Sequence, residues 1–425
     1  MSSIQKGVSD FLFVSLAKVL NGGLTILFNI LLLRYLGPEQ FGVFSLCVVV
    51  ILFADGTIGS ALDMGVMRLS TDRHRTRFDL GFYDVEIAAL VLKIIITLLI
   101  SLLLFIGSDV LSNLLFHQGS HGQVIWLTMI AASGLLLLRT LQTHCQLSGM
   151  FGFYSIADFL HTFLKFGGIG FILVMWSAKL EYILFAFALA PLSVAVVGLA
   201  VFFVKSSVHW GEQSQAMKEL IRFVKWIILT YIITASVSRL DIFLLSRFSS
   251  LEELGIFSSG LIFASIPELL GSYMAVVLNP RVLPYYRDGR FLSFFRHFQL
   301  FCLAGSLFVM GVAYFAIDPL CEILFPSSYS GAAAVFLALL PGSLITMAVF
   351  PLTLPFLLYV RPRFFLVMDC LSLPILFALY IPAIEQHDAL GAAWVTGIAK
   401  VVKGLVAQIL AWKLATSNAP GLIKS

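Results

Sequence analysis

Residues 34–45 read Arg34-Tyr-Leu-Gly-Pro-Glu39-Gln-Phe-Gly42-Val-Phe44-Ser45, and residues 247–258 read Arg247-Phe-Ser-Ser-Leu-Glu252-Glu-Leu-Gly255-Ile-Phe257-Ser258. Five of the twelve positions are identical and all share one offset of 213, within a residue of half the 425-residue chain. Self-similarity at a fixed period is the mark of a duplicated unit. Each turn follows one long apolar run and opens another, so the two halves have the same orientation. The offset divides the chain into an N-terminal lobe, 1–212, and a C-terminal lobe, 213–425. It also aligns two mid-span acids, Asp55 and Glu268.

Outward from those turns the chain is almost all apolar: 60% hydrophobic, 12% charged, mean hydropathy +0.99. A soluble domain is roughly a quarter charged, so the surrounding solvent here is lipid. Runs of about 20 residues, enough to cross a core of about 30 Å, fall near 11–33, 41–64, 84–107, 124–144, 154–176 and 181–204. A second set falls near 222–246, 255–277, 299–317, 332–358, 364–381 and 389–412. The expectation is an all-α polytopic membrane protein of about twelve helices, in two pseudo-symmetric six-helix lobes around a central cavity. The first run, from Phe11 to Leu33, is too long for a signal-peptide core and lacks a cleavage site, so it stays as a span.

The Lys and Arg distribution sets the orientation. With the N-terminus cytoplasmic, seventeen cations lie inside, among them Arg68, Arg73, Arg75, Arg77, Lys218, Arg222, Lys225 and Arg296. Only Arg34, Lys179 and Arg247 lie outside. Both termini are therefore expected in the cytoplasm.

On these residues the sequence resembles the polysaccharide transporter family of the multidrug/oligosaccharidyl-lipid/polysaccharide flippase superfamily. The turn from Arg34 to Gly42 is similar to that family's first-loop turn. Asp241-Ile-Phe-Leu-Leu-Ser246 with Glu252-Glu-Leu-Gly255-Ile-Phe257 is similar to its mid-chain signature. Phe325-Pro326-Ser-Ser-Tyr329-Ser-Gly-Ala332 is a third such segment. The resemblance implies a flippase, not an enzyme, moving an undecaprenyl-pyrophosphate-linked oligosaccharide across a bacterial inner membrane by alternating access. O-antigen, capsule or exopolysaccharide synthesis would be the pathway. Implied partners are the lipid-linked glycan and membrane lipids, with a polymerase and glycosyltransferases of the same pathway. Nothing points to nucleic acid.

Charges inside a membrane are costly and mark cavities or partners. Seven cations fall in the spans: Lys18, Lys93, Arg139, Lys165, Arg239, Lys400 and Lys403. One reading takes Lys18, Arg139, Lys165, Arg239, Lys400 and Lys403 as a cationic lumen for a pyrophosphate. The polar residues Thr25, Asn29, Thr234 and Thr396 would line it. The other reading takes the cations as partners in interhelical ion pairs, Asp158 with Arg139 or Glu86 with Lys93, with snorkelling near helix ends. Asp55 and Glu268 are candidates for H⁺ or Na⁺ coupling, or for pairing with a lysine.

The chain has no P-loop signature, and its five cysteines are scattered. No cofactor and no metal site is expected. His117 and His121 have helical spacing but no third ligand. A membrane polymerase, ligase or glycosyltransferase on the same carrier would be expected to carry a large outer loop, and the outer loops here are short. A cation exporter of the same fold would favour an acidic interior, whereas the excess here is cationic.

Overall fold

The computed structural model describes residues 3–71, 82–107, 122–175, 179–203, 210–287, 291–361 and 363–416. Every regular element among them is helical. They are α1 (Ser3–Ala54), a π-turn (Asp55–Gly59), α2 (Ser60–Thr71), α3 (Phe82–Ile106), α4 (Gly122–Leu147) and α5 (Phe151–Met175). Then come α6 (Leu180–Phe203), α7 (Trp210–Phe248), α8 (Leu251–Arg287), α9 (Phe291–Leu324) and a 3₁₀ turn (Ser327–Tyr329). The last two are α10 (Ala332–Val360) and α11 (Phe364–Thr416). Ten helices among the described residues are long and apolar enough to cross a membrane, so this is a multi-pass membrane protein.

Two expected loops are kinks between abutting helices. The runs near 11–33 and 41–64 meet without an intervening loop at Gly37 (φ 72°), just before Pro38. Glycine adopts that φ without a Cβ clash, and proline removes the next amide donor. The runs near 364–381 and 389–412 likewise meet, with the break at Asp388 (φ 47°). There the Ser249 hydroxyl donates to Asp388 Oδ1 at 2.6 Å, and the Ala389 amide donates to Glu253 at 3.3 Å. Two further spans start earlier than expected. α7 begins at Trp210 and α9 at Phe291, because their amphipathic flanks continue the same helix. The stretch from Phe291 to Phe298 forms the first turns of α9.

The chain divides into two compact units: Met1–Phe28 with Val43–Arg239, and Asn29–Gly42 with Leu240–Ser425. In the first, α4 packs on α6, and α5 and α3 flank them. One apolar cluster joins Ala61, Leu62 and Val66 to Val85, Ala88 and Leu220. In the second, α10 packs on both α8 and α11. Small residues permit this: a methyl group on Gly342 would stand 2.8 Å from the Gly397 carbonyl oxygen. Without a hydrophobic drive between helices in lipid, such close backbone approach supplies the packing energy.

The segment 29–42 is tied to the second unit by three hydrogen bonds. Arg34 Nε and Nη2 donate to the carbonyls of Leu324 (2.7 Å) and Ile323 (2.5 Å), which end α9. The Tyr329 hydroxyl donates to the Leu33 carbonyl at 3.1 Å, and burial pushes this phenol's ionisation upward.

Candidate functional site

In the first unit, the π-turn carries Asp55 at its start. π-turns inside helices concentrate at functional sites. Asp55 is 8% exposed and accepts from Arg139 Nε of α4 at 3.2 Å, while Arg139 itself is 46% exposed. One turn on, Gln142 accepts from Arg139 (3.4 Å) and donates through Nε2 to Asp158 Oδ1 of α5 (3.0 Å). The other oxygen of Asp158 accepts from Asn21 of α1 at 2.6 Å. A continuous polar chain thus runs Asp55–Arg139–Gln142–Asp158–Asn21 within the long apolar helices. Asn21 Oδ1, Asp55 Oδ1 and His161 Nδ1 are buried without a hydrogen bond among the described residues. Such orphaned acceptors mark a place where water, an ion or a ligand group belongs.

Lys165 lies two turns beyond Asp158 on α5 and is only 7% exposed. Its ammonium sits 4.8 Å from the Phe187 ring centre and 6.0 Å from that of Phe28. Cation–π contact of this kind is strongest where water is excluded. Lys93, 1% exposed, is spoken for: it donates to Asp63 at 2.6 Å and Thr140 at 2.9 Å. Glu86 pairs instead with His144 at 2.8 Å. The expected pairs of Arg139 with Asp158 and Lys93 with Glu86 therefore do not form.

The second unit holds a parallel arrangement. Lys400 meets Glu268 of α8 at 2.5 Å, and Ser343 of α10 donates to the same oxygen at 2.8 Å. Both charged side chains are partly exposed. Lys403, one turn on, meets the fully buried Asp369 at 2.6 Å. Beside them, the Thr396 hydroxyl lies 2.8 Å from the Tyr380 hydroxyl and 3.2 Å from Asp241 Oδ2. Either hydroxyl of this pair can donate to the other, and Thr396 Oγ1 also lies 2.9 Å from the Ala392 carbonyl of its own helix. The second oxygen of Asp241 accepts the Ile242 amide at 2.8 Å.

Of the residues singled out from sequence, Arg139 and Asp55 come together in one unit, and Lys400, Lys403, Thr396 and Glu268 gather in the other. Thr25 donates to the carbonyl of Asn21 on its own helix, and the Thr234 carbonyl accepts from Ser238. Asn29 and Arg239 are half-buried, and Arg239 has no ion pair among the described residues. The Lys18 side chain lies outside the described residues, as do Arg73, Arg75, Arg77, His117 and His121. Asp63, Ser343 and Asp369 were missed in sequence. The signal for the two acids was present, since each stands inside an apolar run.

This helical fold is shared with solved membrane transporters of low sequence identity. A lipid II flippase, MurJ, in an inward closed conformation superposes with a TM-score of 0.73 at 12% identity, over 96% of this chain and 90% of that one. An inward-facing multidrug resistance MATE family transporter gives 0.71 at 13% identity, over 95% and 96%. A MOP superfamily transporter from Pyrococcus furiosus, described as having a binding pocket of reversed polarity, gives 0.65 at 15%, over 98% and 96%. Residues 8–283 match the polysaccharide biosynthesis protein family, and the chain belongs to it. A comparison with curated protein sequences gives no match.

Proposed function

We propose that this protein is a flippase that carries a polyprenyl-pyrophosphate-linked oligosaccharide, with undecaprenyl as the carrier, across a bacterial inner membrane by alternating access. The match of residues 8–283 to the polysaccharide biosynthesis family carries the reading. The fold shared with a lipid II flippase supports it. Splitting the stretches Ser3–Ala54 (52 residues) and Phe364–Thr416 (53 residues) at Gly37 and Asp388 gives twelve crossings among the described residues. At about 1.5 Å per residue each stretch holds about 78 Å of helix, more than twice the hydrocarbon thickness. An even number of crossings puts both termini on one side, and the excess of Lys and Arg on that side supports the cytoplasm.

In this reading, the diphosphate meets cations already held at membrane depth. Lys400 is partnered by Glu268, but both are reachable from outside the packed interior. An arriving pyrophosphate competes with Glu268 for the ammonium, and the displaced carboxylate becomes free to take up H⁺ or Na⁺. Binding of the headgroup and uptake of the coupling ion are then one event, which shifts the balance between conformations. Asp55 with Arg139 plays the matching part in the first unit. Lys165, Arg239 and Lys18 add positive potential, and Thr25, Asn29, Thr234 and Thr396 replace water around the sugar hydroxyls.

The test is transfer in proteoliposomes. A polyprenyl-pyrophosphate oligosaccharide placed in one leaflet should become accessible to a lectin on the other face only when the protein is present. Transfer no faster than in protein-free vesicles would overturn the reading. In cells, Lys400→Ala with Lys403→Ala should abolish surface glycan, whereas Lys400→Arg with Lys403→Arg should retain it at equal protein abundance.

A further inference from the structure

The helix α7 is 39 residues long, about 58 Å at 1.5 Å per residue. This is nearly twice a hydrocarbon core of about 30 Å, so one end stands in the interface. Its N-terminal turns are held against the first unit. Ala216, Leu220 and Val224 are buried among Ala61, Leu62, Val66, Val85 and Ala88. Gly65 of α2 lets Leu220 and Val224 come within 2.6 Å of where a methyl group would stand.

The opposite face is exposed, and its chemistry changes along its length. Lys218, Arg222 and Lys225 recur at i, i+4 and i+7 on that face, the spacing of one helical stripe. Trp226 follows, 69% exposed, with the Lys225 ammonium 5.7 Å from its ring centre. Beyond it the same face turns apolar at Leu229 and Ile232. Exposed Arg68, at the end of α2, joins the basic end, its guanidinium 5.3 Å from the Phe223 ring. Glu219, half-buried, lies only at the margin of the stripe.

Tryptophan marks the boundary between hydrocarbon and headgroups. A headgroup layer is about 5–7 Å deep on each side. Measured from Trp226 along the helix, Lys225 and Arg222 lie within about 6 Å, and Lys218 at about 12 Å can reach back with its long side chain. Three cations on one helix at phosphate depth, with Glu219 at the margin as the one acid beside them among the described residues, complement phosphodiesters. The apolar continuation of the stripe sets the partner as a lipid surface. We infer that the stripe Lys218–Arg222–Lys225–Trp226, with Arg68 beside it, is a binding site for the headgroups of bulk anionic phospholipid in the leaflet where α7 begins. The inference rests on the membrane-spanning fold and is independent of the transport reading.

The full-length protein in nanodiscs of mixed phosphatidylglycerol and phosphatidylcholine, followed by native mass spectrometry of retained lipid, tests this. The protein should retain phosphatidylglycerol in preference to phosphatidylcholine. Each cation is worth roughly fivefold, so the Lys218→Gln, Arg222→Gln, Lys225→Gln triple variant should lose about a hundredfold in relative affinity. The all-arginine variant should keep it. Salt at about 1 M, where the screening length is about 3 Å, should release the lipid from the unmodified protein, a readout that needs no variant to fold. Unchanged retention in the triple variant, or at high salt, overturns the site. Preference for a polyprenyl phosphate over phosphatidylglycerol overturns the assignment to bulk lipid.

Discussion

Gly42 and Gly255 stand 213 residues apart, and each lies against the chain four residues before the other. A methyl group on Gly42 would overlap the carbonyl oxygen of Leu251, and one on Gly255 would overlap that of Pro38. Pro38 and Leu251 are themselves offset by 213. The contact is therefore reciprocal: equivalent positions of the two turns exchange equivalent backbone groups, as across a two-fold axis. The reciprocity follows the same 213-residue offset that relates the two turns in sequence.

Because the two glycines face carbonyl oxygens rather than side chains, neither site can yield to a Cβ by rotating a rotamer. Gly42→Ala and Gly255→Ala should each destabilise the protein by about 2–3 kcal/mol. The double variant should cost less than the sum, since one backbone shift relieves both. Thermal unfolding in detergent measures this. A wild-type transition for either single variant would show that the turns are not held so closely.

The buried ion pairs should rank by how dry they are. Lys93→Met strands Asp63 in an enclosed site and should cost about 3–5 kcal/mol. Lys403→Met leaves Asp369 buried, but Lys403 itself is partly exposed, so water enters and the loss falls to about 2–3 kcal/mol. Lys400→Met frees Glu268 to solvent and should cost about 1 kcal/mol or less. Adding Asp63→Asn should recover part of the Lys93 loss. An equal fall in melting temperature for all three would contradict the ranking.

The helices and the acids Asp55 and Glu268 were legible because apolar length and mid-span charge are properties of single segments. Their partners were not. Periodicity states which residues share a face of one helix, never which neighbouring helix comes to that face. Arg139 and Asp158 lie on adjoining helices, yet Gln142 and Asn21 satisfy Asp158 and leave Arg139 to Asp55. The face that Asp63 occupies was hidden for a second reason. Asp63 follows the π-turn, whose extra residue rotates everything after it by about 100°, so a uniform helical count gives it the wrong face. The breaks at Gly37 and Asp388 differ in the same way. Gly37-Pro38 announces itself in sequence, whereas Asp388 is held by Ser249 and Glu253, more than a hundred residues away.

That long-range hold makes Asp388 testable. Its φ of 47° strains any residue with a Cβ, and its carboxylate gains the Ser249 hydroxyl in return. Asp388→Ala keeps the strain and loses the bond, and should cost about 1 kcal/mol. Asp388→Gly loses the bond but relieves the strain, and should sit about 1 kcal/mol above the alanine variant. Alanine equal to or above glycine in melting temperature would mean the backbone does not adopt this conformation.

Arg34 offers a comparison of charge with geometry. Its guanidinium delivers two hydrogen bonds to the carbonyls of Ile323 and Leu324, groups that a helix leaves unsatisfied at its C-terminus. A cation there is also favoured by the helix dipole. Arg34→Gln removes the charge and the fork and should destabilise by about 2 kcal/mol. Arg34→Lys keeps the charge but cannot reach both carbonyls from one planar group, so it should lose about half as much. The dipole share weakens with salt while the hydrogen-bond share does not. The gap between the lysine and glutamine variants should therefore narrow at high ionic strength, and the gap between arginine and lysine should persist. Lysine matching arginine at low and high salt alike would leave charge as the whole of this residue's contribution.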